Sequence, residues 1–120
     1  MSSSAYDPMG YYDRSGQQIS EAEWGPKFCS PEYKVVGWWS NSGSNPKVNG
    51  DAELIVSTVW LGMNHAFDGG LAIFETMIFG GDWNEYQMRY ATEAEALSGH
   101  RRTVDDVIAG RRPWFLDDEG

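Results

Sequence analysis

Two apolar runs separated by a glycine-bearing loop constrain this chain more than any other feature. They are "AELIVSTVWLG", residues 52–62, and "LAIFETMIFG", residues 71–80. Each is dominated by β-branched, aliphatic and aromatic side chains and ends at glycine, which predicts two adjacent strands. Alternation in the second run places Leu71, Ile73, Met77 and Phe79 on one face and Ala72, Phe74 and Ile78 on the other. Both faces are apolar, and a strand apolar on both faces calls for cover on both.

The rest of the chain supplies little cover. Residues 33–40, "YKVVGWWS", predict a third strand. Residues 85–90, "EYQMRY", predict a half-buried fourth, with Tyr86, Met88 and Tyr90 opposite Glu85, Gln87 and Arg89. Thr92 and Glu95 form a T-x-x-E capping box opening a helix that Gly110 stops. Ala94, Leu97, His100, Val104, Val107 and Ile108 fall on one stripe of that helix, predicted to face the sheet. Ser20 and Glu23 open a second helix, kept short by Gly25-Pro26, after a turn at Asp13, Arg14, Ser15 and Gly16. Residues 1–10 read as a loose lead-in, 41–51 as a polar loop, and 111–120 as an acidic tail whose Trp114, Phe115 and Leu116 fold back.

The expected architecture is therefore α+β, a single domain over residues 1–120. It is a curved antiparallel sheet of about four strands in a meander, with a C-terminal helix and a short N-terminal one. One substantial helix cannot cover two apolar faces. The second face needs the N-terminal segment, the tail or a second copy, so a homodimer is expected.

The chain of 120 residues carries net charge −9. Sequence-independent nucleic-acid binding needs a basic surface, so no nucleic-acid partner is expected. The cations Arg101, Arg102, Arg111 and Arg112 cluster on and beyond the helix C-terminus, where they suit its dipole. The acids are scattered except for "DDEG" at the tail, which leaves mimicry of DNA a minor alternative. No apolar run is long enough to span a bilayer, so no membrane partner is expected. The first ten residues lack the basic and apolar regions of a secretory signal, and Cys29 is the single cysteine. Cytoplasm is the expected compartment.

The polar residues set among these apolar runs are the candidate site. Glu75 needs a partner if it is buried, and the choices are His65 from the loop, His100 from the helix, Arg89 from the next strand, and the Ser57 and Thr58 hydroxyls. Glu75 with His65 or His100 is the material of general acid–base catalysis, and equally of a hydrogen bond fixing the helix on the sheet. The loop "GMNHAFDGG" holds His65 with Asn64 and Asp68; it reads either as a turn anchored by Phe67 or as a binding loop. Candidate ligand-binding residues are Trp60, Asn64, His65, Asp68, Glu75 and His100. Trp38, Trp39, Trp60 and Trp83 could line an aromatic pocket. No spacing matches a metal site, nucleophile elbow or phosphate loop, so no metal or cofactor is expected.

The set "YYDRSGQQISEAEW", "STVWLGMNHAF", "IFETMIFGG" and "RYATEAEALSGH" resembles a family of small proteins encoded by bacteriophages and prophages, especially those of actinobacteria. The matching positions are Thr58, Trp60, Gly62, His65, Glu75, Met77, Tyr90, Gly99 and His100; "AFDGGLA" departs from the pattern. The resemblance implies a phage setting and no mechanism. Three functions follow as expectations. The first is a non-enzymatic accessory protein binding a host protein or small ligand, in host takeover or defence evasion. The alternatives are a small hydrolase or transferase using a Glu/His pair, and a minor virion protein.

Overall fold

The computed structural model describes residues 6–41, 53–66 and 68–116. The expected loop residues 42–51, the Phe67 anchor and tail residues 117–120 lie outside them.

Four strands form one antiparallel meander in the order β3 (Val35–Ser40), β4 (Ile55–Trp60), β5 (Phe74–Phe79) and β6 (Gln87–Tyr90). The α+β architecture is as the periodicity predicts. Register settles the faces. Val56, Thr58 and Trp60 stand opposite Ile78, Thr76 and Phe74, and all six are buried. Ile55, Ser57 and Val59 stand opposite Phe79, Met77 and Glu75 on the other face. Helix α3 (Glu93–Ala109) covers the first, inner face, with Thr92 and Glu95 closing its capping box and Gly110 ending it in the left-handed conformation.

The N-terminal elements close one end of the inner face. A two-residue hairpin, β1 (Tyr11–Tyr12) with β2 (Gln18–Ile19), leads into α1 (Glu21–Phe28), capped by Ser20 and Glu23. Tyr12, Trp60, Ile73, Phe74, Tyr90 and Ala96 form the core, flanked by Trp24, Tyr33 and Trp114. Residues 6–10 are tied down: Tyr6 N–H donates to Gly69 O, Met9 N–H to Asn64 O, and Asp7 N–H to the Tyr12 hydroxyl. Trp114 packs back as expected, in a short 3-10 turn (Trp114–Leu116).

Three expectations need correction. Glu85, at φ 70°, and exposed Tyr86 precede β6 and do not belong to it. Tyr33 and Lys34 belong to a helical turn, α2 (Pro31–Lys34), and not to the third strand. Ser30 caps that turn by accepting from Tyr33 N–H, and Pro31 sits at its start, so local capping outweighs the β-propensity of Tyr33. The largest correction concerns α3. Its buried residues are Ala96, Gly99, Thr103 and Asp106, whereas Ala94 is exposed, Leu97 is 37 % exposed and Ile108 63 % exposed. The helix is rotated away from its apolar stripe because the strands beneath present hydroxyls, and a small, polar helix face satisfies them. His100 does point at the sheet.

Candidate functional site

The candidate residues divide between the two faces of the sheet. On the outer face Glu75 stands opposite Arg89 in the β5–β6 register, and Arg89 Nε donates to Glu75 Oε2 at 3.2 Å. With its amide nitrogen turned toward Glu75, Gln87 donates to the same oxygen at 3.2 Å and accepts from Arg89 Nη2 at 3.3 Å. His65, whose backbone N–H donates to Ala72 O, lies within electrostatic reach of both charges. Partial burial pushes its imidazole below the usual range; Arg89 adds to that and Glu75 opposes it. No hydrogen bond joins His65 to Glu75. The arrangement is a guanidinium–carboxylate pair with an imidazole beside it.

On the inner face runs a buried chain of hydroxyls. Tyr90 OH donates to Thr76 Oγ1 at 3.0 Å, Thr76 and Thr58 hydroxyls share a hydrogen bond of 2.6 Å, and Thr58 Oγ1 lies 2.7 Å from His100 Nδ1. Thr76 accepts from Tyr90 and keeps a second lone pair, so the His100 tautomer decides which way the Thr58–Thr76 bond runs. With the His100 proton on Nε2, Nδ1 accepts from Thr58 and Thr76 donates to Thr58. Burial, with help from Arg101, pushes the His100 pKa down, in keeping with that neutral form. A proton on Nδ1 turns the Thr58 hydroxyl toward Thr76, which then accepts from both Thr58 and Tyr90 and loses the acceptor for its own proton. A second branch fixes the helix: Trp114 Nε1 donates to Thr103 Oγ1 at 3.0 Å, and Thr103 donates to Gly99 O at 2.8 Å.

Two glycines make the chain possible. A Cβ at Gly99 would run into the Tyr90 hydroxyl and ring, and one at Gly37 would sit 2.8 Å from the His100 ring. Both elements therefore approach the network more closely than any other residue permits.

The expected Glu75–His100 pairing is not formed: the sheet lies between them, and each has its own partner. Thr58 and Thr76 are fully buried, so neither hydroxyl is open to a substrate. Asn64, also fully buried, uses every donor and acceptor it has. Its Nδ2 donates to Asp7 O and Gly70 O, and its Oδ1 accepts from Ala66 and Ala72 N–H. It locks the loop and has nothing left for a ligand. Trp60 is fully buried with Nε1 on Tyr12 O, and Asp68 is exposed, holding Gly70 N–H in a turn. The four tryptophans do not converge: Trp60 is core, Trp38 and Trp39 alternate across β3, and Trp83 packs on Tyr86.

Thr76 and Thr103 escaped sequence reasoning. The available signal was register, because Thr58 and Thr76 are polar at matched inner positions of two apolar strands. The outer face instead carries an unburied apolar surface. Val35 on β3 is 40 % exposed, Trp38 59 % and Phe79 39 %, around half-buried Ile55, Val59 and Met77. No family model, curated protein or solved structure matches the chain.

Proposed function

We propose that this chain is a non-enzymatic binding protein working as a homodimer, in the phage setting that its motif set suggests, with a host protein as its target. The observation that carries the reading is the outer sheet face, where Trp38 stands 59 % exposed in a row with Ser57, Met77 and Gln87 and nothing among the described residues covers it. Contiguous exposed apolar surface of this kind marks an interaction site.

A second copy suits the face. A two-fold axis along the strands lays β3 of one copy over β6 of the other. Trp38 at one edge then meets Arg89 and Gln87 at the opposite edge, an indole on a guanidinium, made twice. Sheets packed in this way lie about 10 Å apart in aligned fashion. Four strands about 4.8 Å apart and about 20 Å long give roughly 400 Å² of sheet. Two such faces bury about 800 Å², below the range of stable interfaces, so the dimer is weak and reversible.

Sedimentation equilibrium tests this. The native protein should shift from one chain mass to two as its concentration rises, and Trp38→Glu should stay at one. A native protein that remains monomeric throughout contradicts the reading.

A further inference from the structure

The sheet ends at β6, and its free edge borders a groove of about 510 Å³ beneath α3. Met88, Tyr90, Ala94, Ser98, Arg102 and Trp114 line it. Ladder alternation assigns the edge. Ile78 N–H donates to Tyr86 O, and Thr76 pairs with Met88 and Phe74 with Tyr90, so these residues turn their backbone groups toward β5. Gln87 and Arg89 are left with N–H and C=O groups facing outward. Open edges of this kind template an added strand.

The helix wall leaves room for one. Ala94, Ser98 and Arg102 follow one another at four-residue spacing, all three exposed, and the first two are small. A strand added to β6 would send alternate side chains between Met88 and Tyr90 on one side and Ala94 and Ser98 on the other. Charge selects among such strands. Arg102 makes no ion pair among the described residues and lies 4.3 Å from the Trp114 ring, which holds its guanidinium over the groove. The carboxylate in the wall, Glu95, already accepts from Ala91 and Thr92 N–H. Arg89 in the same lining is already paired with Glu75, so Arg102 is the guanidinium left to meet an Asp or Glu side chain of the added strand.

We propose that the β6–α3 groove binds an extended, acidic peptide segment of a partner protein by strand addition, with an Asp or Glu side chain on Arg102. This rests on the binding-protein reading but not on dimerisation: Arg89 borders both surfaces, but the added strand takes the outward backbone groups of β6 and the Arg102 side of the edge, whereas the proposed dimer takes the outer side chains.

The test is fluorescence anisotropy with an array of labelled pentapeptides in which valine alternates with Asp or Glu, with Lys, or with Ser. The array includes acidic members carrying a central proline, which cannot donate to the edge. The acidic peptides should bind at least tenfold more tightly than the lysine and proline members. Ser98→Trp, an exposed substitution that fills the groove, should weaken them at least tenfold, and Arg102→Gln should remove the preference for acid over serine. Trp38→Glu should leave peptide binding unchanged, so loss of the dimer and loss of the groove read out separately. No acidic peptide binding, equal binding of the proline members, or binding indifferent to Ser98→Trp would each overturn the proposal.

Discussion

The two faces of the four-stranded sheet are built by opposite rules. Across the middle of the inner face the register row is Gly37, Thr58, Thr76 and Met88, and its hydroxyls are buried and fully hydrogen-bonded. The neighbouring outer row is Trp38, Ser57, Met77 and Gln87, and its largest side chain is mostly in water. A domain that only needed a core would place the tryptophan under the helix and the threonines outside. The difference separates tasks. The inner face fixes the helix by direction-specific bonds, which tolerate little change, while the outer face leaves Trp38 mostly in water and, on the proposal made above, serves association.

Substitutions should therefore divide by face. The largest effect is expected at Gly99→Val, whose side chain must displace the Tyr90 ring. Overpacking at such a site costs about 3 kcal/mol or more, read as a fall in the urea midpoint. A loss under about 1 kcal/mol would mean that α3 can slide, and the inner face is not rigid. Thr58→Val keeps the shape but strips partners from His100 and Thr76, for roughly 1–3 kcal/mol. A neutral result would show that the hydroxyl chain is replaceable by apolar packing.

Acid sharpens the same contrast. The folded pKa of His100 lies below its ordinary value, chiefly through burial, and that of His65 is shifted the same way. Below the ordinary imidazole range the unfolded chain takes up protons that the folded chain refuses, so stability is full above that range and falls as pH drops through it. Melting temperature should decrease from pH 7 toward pH 5.5, and His100→Gln should flatten part of the slope. Further down, Glu93 adds to the loss, because its bond to Arg14 holds its pKa low and that stabilisation disappears on protonation. An unchanged slope in His100→Gln would remove the inner chain as its source.

The smallest effects belong outside. Glu75→Gln weakens a pair in which Arg89 is 39 % and Glu75 13 % exposed but keeps an oxygen to accept from Arg89, so about 1 kcal/mol is expected, measured by chemical denaturation at low protein concentration. A cost as large as that of Thr58→Val would move Glu75 into the structural set and erase the distinction between the faces.

Much of the fold was legible because its signals are local. The two apolar runs, both capping boxes and the stop at Gly110 each depend on neighbours within one element, and each stands where periodicity places it. The rotation of α3 was not legible. Periodicity sees Leu97 and Ile108 but not the hydroxyls that register assembles from Thr58, Thr76 and Tyr90 on three successive strands. Asn64 shows the same limit: a polar loop residue looks available until its four partners, from Asp7 to Ala72, are brought around it. Arg89 was among the partners foreseen for Glu75, since the two share a face on adjacent strands.

The central claim is that the outer face serves association and not the fold. Urea unfolding of the native protein and of Trp38→Glu, each at about 1 μM and about 100 μM, tests it most directly. Association stabilises the native protein by mass action, so its midpoint should rise with concentration while that of Trp38→Glu stays fixed and equals the native value at high dilution. Native midpoints that do not move with concentration, or a Trp38→Glu protein that is destabilised at every concentration, would contradict the account.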